Sequence, residues 1–122
     1  MLHRRLRKYV NDVKPYVHYT SILPNPEQIK GIRKLIYQLK YKLIYSWLPL
    51  RLVYKWFVPH HADVEIAFVE GFATKLLAHS TNKQAKKIAW VHTDFEKHHW
   101  TNVIFKNKQN EEQTYSRYHQ IV

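Results

Sequence analysis

Val64-Glu65-Ile66-Ala67-Phe68-Val69-Glu70-Gly71 decides how the rest of the chain is read. Its first part is rich in β-branched and aromatic residues and ends on a glutamate and a glycine. It therefore reads as a buried strand that stops at Glu70-Gly71. Phe72 to His79 has the pattern of a short helix, closed by Ser80-Thr81-Asn82. Lys87-Ile88-Ala89-Trp90-Val91 is a second strand, stopping at His92-Thr93-Asp94. Strand, helix and strand in this order predict a βαβ unit with parallel strands, and such crossovers are almost always right-handed.

Beyond this unit, Asn102 to Phe105 reads as a short strand or extended piece. Gln109 to His119 reads as a polar helix with Tyr115 and Tyr118 on its buried side. Ile121-Val122 looks like the opening of another strand, and a strand needs more residues than that, so the fold is expected to continue in a parent protein. Before the unit, Ile29, Ile32, Leu35, Ile36, Leu39, Leu43 and Trp47 recur at helical spacing until Pro49 interrupts them. A shorter helix follows with Leu50, Val53, Tyr54 and Phe57 on one face, and Pro59 ends it. Asn25 is placed to cap a helix that has Pro26 in its first position. Tyr16-Val17-His18-Tyr19-Thr20, between Pro15 and Pro24, predicts a short strand. Residues 2–14 read as a weak basic helix or arm. The expected fold class is α/β: a partial parallel sheet with flanking helices. One domain covers 1–122, with an arm and first strand at 1–28, basic amphipathic helices at 29–58 and the βαβ core at 62–122.

Composition narrows the function. A chain of 122 residues supports one small core. With only two glycines it cannot build a glycine-rich phosphate loop, which argues against a self-sufficient nucleotide-binding domain. The absence of cysteine excludes disulfides and thiolate metal sites. A net charge of +11 favours anionic partners. The basic start is not followed by the apolar stretch of a signal peptide, and no transmembrane span is evident. The expected location is cytoplasmic, or peripheral on the inner face of the cell membrane.

In an open parallel sheet, ligands bind at the carboxyl ends of the strands. Glu70-Gly71 and His92-Thr93-Asp94 are two such ends, so Glu70 and His92 are expected to face one crevice. His92 is the first candidate: an imidazole there can hydrogen-bond a hydroxyl or relay a proton near neutral pH. Thr93 and Asp94 add a hydroxyl and an acceptor suited to polyhydroxy ligands, and Glu70 an acceptor for a hydroxyl. Gly71 would let the backbone approach a ligand. The plainer alternatives are that Asp94 caps a following helix, His92 bonds only to backbone, Glu70 serves a helix N-terminus and Gly71 merely turns the chain. No metal is expected: the pairs His60-His61 and His98-His99 point to opposite faces, and no His-Glu-x-x-His arrangement exists. No serine elbow or cysteine nucleophile is present.

The segment from Lys30 to Val58 carries Arg33, Lys34, Lys40, Lys42, Arg51 and Lys55 with no acidic residue, interleaved with tyrosine and tryptophan. This pattern suits an anionic membrane surface. An ordinary amphipathic helix with a solvated basic face is the alternative. Nucleic acid ranks lower, because no recognised binding motif is visible.

Three stretches carry a resemblance. Ala62 to Lys75, Lys86 to Asp94 and Tyr115 to Val122 resemble segments of bacterial family 4 glycosyltransferases, especially those of capsular and cell-surface polysaccharide synthesis. The resemblance spans roughly 30–122 and implies a partial Rossmann-like fold, a fragment of the N-terminal, acceptor-side domain of a GT-B enzyme. It implies sugar transfer from a nucleotide sugar to a saccharide acceptor, often lipid-linked, with retention and no bound metal or other cofactor. His92 matches the family histidine beside the cleft, and Glu70 and Gly71 match the preceding loop. The family's glycine-rich first loop and its donor-binding C-terminal domain are missing here. The nucleotide sugar would therefore be met only through that second domain, and the chain alone is expected to be inactive. The rival expectation is a non-enzymatic basic module that binds a membrane or a partner.

Overall fold

The structure is a computed structural model that describes residues 9–24, 26–98 and 100–122. The expected cap at Asn25 and the beginning of the basic arm, residues 2–8, lie outside the described residues.

The sequence pattern from Val64 onward folds as a three-stranded parallel sheet. Strand β1 is Val64–Ala67, β2 is Lys86–Ala89 and β3 is Gln120–Ile121, in the order β1-β2-β3. Ile66 lies opposite Ile88, Ala67 opposite Ala89, and Ala89 opposite Ile121. The ladder runs a little past the formal strand ends, where Val91 donates its N–H to Val122 at 2.8 Å. The architecture is α/β, with helices flanking a small parallel sheet.

Residues 9–13 of the arm are helical. Around the sheet lie α1 (Ile32–Lys42), α2 (Leu50–Phe57), α3 (Phe72–Ala78) and α4 (Lys108–Tyr115). Helix α3 is the crossover between β1 and β2, and it packs on both strands and on α2 and α4. Close packing there follows from small residues: Ala67 and Ala89 on the sheet and Ala78 on the helix are all buried. Ile44, Val53, Tyr54 and Leu76 form the core, with Leu48, Leu50, Phe57 and Phe72 against it. Pro49 separates α1 and α2, as expected. Between them, Leu43–Trp47 widens into a π-turn in which Leu48 donates to the Leu43 carbonyl at 2.8 Å.

The opposite sheet face is bare. Val64, Ile66 and Phe68 point away from α3 and are about half exposed, as is Trp90 to a lesser degree. The stretch read as a buried strand is buried on one side only, through Glu65 and Ala67.

Several elements depart from expectation. The helix expected over Gln109–His119 ends at Tyr115, so Tyr118 lies beyond it. Residues 16–20 form no strand, and Tyr16, Val17 and Tyr19 are exposed. Their β propensity describes fit to a pleated, half-buried surface, and among the described residues no strand pairs with them to provide one. Residues around 102–105 are not extended. Trp100–Val103 is a 3-10 turn that buries Thr101, whose hydroxyl donates to Glu111 at 2.7 Å. The long helix expected from Ile29 starts at Ile32, after Gly31, so Ile29 lies outside it. Pro26–Gln28 is a separate 3-10 turn.

Candidate functional site

The loops that leave β1 and β2 meet at the carboxyl rim of the sheet, because the two strands are parallel neighbours. Glu70 and His92 do come together there. Their roles differ from the expected ones.

Glu70 does not face solvent. It is 5% exposed, and its Oε1 accepts the backbone N–H of Thr93 at 2.6 Å and that of His92. Burial pushes this carboxyl up. The backbone N–H groups of Glu70, His92 and Thr93, with the Thr93 hydroxyl, outweigh burial and hold it below the usual carboxylate value. Glu70 is thus a strut that ties the end of β1 to the end of β2.

His92 is exposed at the rim. Its Nε2 lies 2.6 Å from the Phe68 carbonyl. A carbonyl only accepts, so Nε2 carries the hydrogen, and a neutral ring keeps its lone pair on Nδ1. Among the described residues Nδ1 has no hydrogen-bond partner. The ring stands edge-on to Phe68 at 4.7 Å between centroids and lies parallel to Trp90 at 6.2 Å. Such a nitrogen can accept a hydroxyl proton or, once protonated, donate one.

Gly71 is buried at φ +97°, a conformation that favours glycine. A Cβ there would sit 2.5 Å from Ile104 Cδ1 and 3.2 Å from Trp100 Cη2. The space a ligand would have used is filled by the segment after β2. Thr93 accepts from Trp100 Nε1 at 3.3 Å. Asp94 organises its own turn: Oδ1 accepts from the Glu96 N–H at 3.1 Å, and Oδ2 pairs with Lys97 at 3.4 Å. Of the residues singled out from sequence, His92 presents a ring nitrogen at the rim that has no hydrogen-bond partner among the described residues.

Sequence reading missed what locks this rim. Trp100 and Ile104 cover Gly71, and Lys75 reaches from α3 to the Ile104 carbonyl at 3.0 Å. Burial first, and then Lys106 nearby, lower the Lys75 pKa. A second buried polar pair lies beneath the sheet. The Tyr54 hydroxyl donates to Glu65, while the other Glu65 oxygen, Oε2, is buried without a partner among the described residues. Periodicity placed Tyr54 on the apolar face of its helix and Glu65 in a buried strand, but it does not announce that the two side chains meet.

Two open cavities lie near these elements. One, of about 580 Å³, adjoins the carboxyl ends of β2 and β3 and is lined by Val91, Phe95, Tyr115 and Val122. The other, of about 780 Å³, lies between the arm and α1, with Lys14, Tyr19, Tyr37 and Tyr45 in its wall. Neither is lined by His92.

Comparison of the chain with models of known protein families, with curated proteins and with solved structures returned no match.

The expected membrane-surface residues Arg33, Lys34, Lys40, Lys42, Arg51 and Lys55 are all exposed. The first four are on α1 and the last two on α2. Among the described residues, no helix is long and apolar enough to cross a membrane.

Proposed function

We propose that the chain is the acceptor side of a family 4 glycosyltransferase, working with a donor-binding half to move a sugar from a nucleotide sugar to a saccharide or lipid-linked acceptor. The observation that carries this reading is His92: held through Nε2 at the rim of a parallel sheet, with Nδ1 directed away from the Phe68 carbonyl that fixes the ring. Acceptor hydroxyls need such a group to receive a hydrogen bond as they attack. The likeness of residues 62–94 to the family falls on the β1-α3-β2 unit that builds this rim. The Glu70 strut supports the reading by fixing the loop on which His92 sits.

The bare sheet face also favours work within a larger assembly. Parallel sheets are normally covered on both faces, and Val64, Ile66, Phe68 and Trp90 are what a second layer would cover. The free edge of β1 offers a place for a further strand.

The test is reconstitution. The chain is joined to a donor-binding domain of the family, and transfer from a nucleotide sugar to a lipid-linked saccharide is measured. Transfer by the assembly, none by the chain alone, and a loss of about a hundredfold or more on His92→Ala are expected, which is the usual size of a lost general acid or base. Unchanged turnover after His92→Ala would remove the role assigned to it. No transfer by any assembly would remove the enzyme reading.

A further inference from the structure

Helix α1 runs on into the Leu43–Trp47 turn, and this rod meets the body at its C-terminal end, through Ile44 and Tyr45. Tyr37, Tyr41 and Tyr45 form a ladder down one side, with centroids 6.5 and 4.5 Å apart, and Tyr45 meets Phe72 of α3 at 4.2 Å. Tyr45 and the buried Ile44 thus turn toward the body, Tyr37 is half-buried, and Tyr41 is 50% exposed. The aliphatic stripe lies on the other side, in solvent: Ile32 is 73% exposed, Leu39 62% and Trp47 73%, with Leu35, Ile36 and Leu43 also exposed. At 100° per residue these side chains fall within one sector of the helix. Arg33 and Lys40 flank that sector on one side and Lys42 on the other. Trp56 and Leu52 continue the exposed apolar surface on α2, beside Arg51 and Lys55.

A soluble surface rarely offers so many large apolar side chains together. Charge identifies the occupant. No acidic residue occurs from Lys30 to His61, so nothing in the segment neutralises the cations that rim the stripe. An apolar stripe bordered by lysine and arginine, with tryptophan at its end, matches the interface of an anionic bilayer: aliphatic groups enter the acyl boundary and cations stay among the headgroups. Length sets the orientation. Ile32–Lys42 and Leu43–Trp47 are 11 and 5 residues long. Together they extend at most about 24 Å at 1.5 Å per residue, short of the ~30 Å hydrocarbon core. The helix therefore lies along the surface.

We infer that α1 and the Leu43–Trp47 turn that continues it dock in the plane of an anionic phospholipid leaflet, with Ile32, Leu35, Ile36, Leu39, Leu43 and Trp47 as the inserted face and Ile44 and Tyr45 as the attachment to the domain. This goes beyond the sugar-transfer reading and does not depend on it.

The full chain is sedimented with vesicles of phosphatidylglycerol and phosphatidylcholine in equal parts, and with phosphatidylcholine alone. Binding to the anionic vesicles at least tenfold stronger than to the neutral ones is expected, with Trp47 fluorescence quenched by brominated acyl chains and the quenching lost in Trp47→Ser. Lys40→Glu with Lys42→Glu should lower binding about tenfold or more, and added salt should mimic it. Leu39→Ser with Leu43→Ser should lower it as much while circular dichroism stays unchanged, since both positions are exposed. No vesicle binding, equal binding to both vesicles, or binding indifferent to the leucine pair would overturn the inference. So would a dimer in solution that hides Trp47 from a soluble quencher, because a second copy would then own the stripe.

Discussion

The Glu70 carboxylate accepts the backbone N–H of Thr93 at 2.6 Å, joining loops 23 positions apart in the chain. The same oxygen takes the His92 N–H, so the pose of the candidate histidine depends on a carboxylate one strand away. A buried anion is tolerable here because backbone donors replace the water it loses.

Removing that anion should loosen the rim. Glu70→Ala leaves backbone donors buried without an acceptor and should cost about 3 kcal/mol in urea unfolding. Glu70→Gln keeps an acceptor but loses its charge, and should cost about 1 kcal/mol at neutral pH.

The pH dependence has a definite sign. The folded-state pKa of Glu70 lies below its ordinary 4.5, so the strut is at full strength above pH 4.5 and is lost as pH falls through the lower folded value. Urea midpoints from pH 6 downward should show the wild type losing more stability below pH 4.5 than Glu70→Gln does. Parallel curves would mean that Glu70 contributes nothing to the acid limb.

Gly71→Ala combines two costs. The alanine must adopt φ +97°, and its Cβ must displace Ile104 Cδ1 from 2.5 Å. Backbone strain of about 1–3 kcal/mol should remain even when the clash is relieved. The pair Gly71→Ala with Ile104→Ala should therefore recover only part of the loss beyond what Ile104→Ala alone costs. Full recovery would show that the backbone conformation is not strained.

Tyr54 and Glu65 invite a double-mutant cycle. Tyr54→Phe takes away the partner of a buried carboxyl and should cost about 2–3 kcal/mol. Adding Glu65→Met removes the stranded group and should return much of that loss, since an apolar replacement of a buried polar pair is often neutral or better. Burial, with the hydrogen bond to Glu65, pushes Tyr54 up to about 12. A raised pKa of this kind contributes stability fully below pH 10 and loses it as pH rises toward 12. The alkaline limb should therefore flatten in Tyr54→Phe.

Much of the α/β core was legible because apolar runs bounded by polar turns mark strands whatever lies around them. Val64 to Val69 and Lys87 to Val91 show this, and their parallel pairing followed from the helix between them. The strand expected at Tyr16 to Thr20 failed because propensity needs a neighbour to pair with. In α1 the periodicity showed which residues share a side, but not which side faces inward. Ile44 and Tyr45, the latter against Phe72, took the inward place, and the leucines were left in solvent. At the rim, position was legible and role was not. The strand ends brought Glu70 and His92 together, yet only coordinates reveal that the carboxylate is spent on backbone donors.

Neighbouring residues of β1 offer the sharpest contrast between the two sheet faces. Ala67 is 1% exposed beneath α3, whereas Ile66 is 49% exposed on the bare face. Ala67→Val forces added volume into a packed helix-sheet contact and should cost about 1–3 kcal/mol. Ile66→Thr keeps a β-branched shape where nothing is packed, and should change stability by less than about 0.5 kcal/mol in the chain alone. Under the proposed function, Ile66→Thr should instead act on assembly. If a second layer covers Val64, Ile66 and Phe68, Ile66→Thr buries an unpaired hydroxyl there and should weaken assembly about tenfold, read by titration calorimetry against the isolated donor-side half. Equal affinity of wild type and Ile66→Thr would mean that this sheet face remains open to solvent even in the working protein.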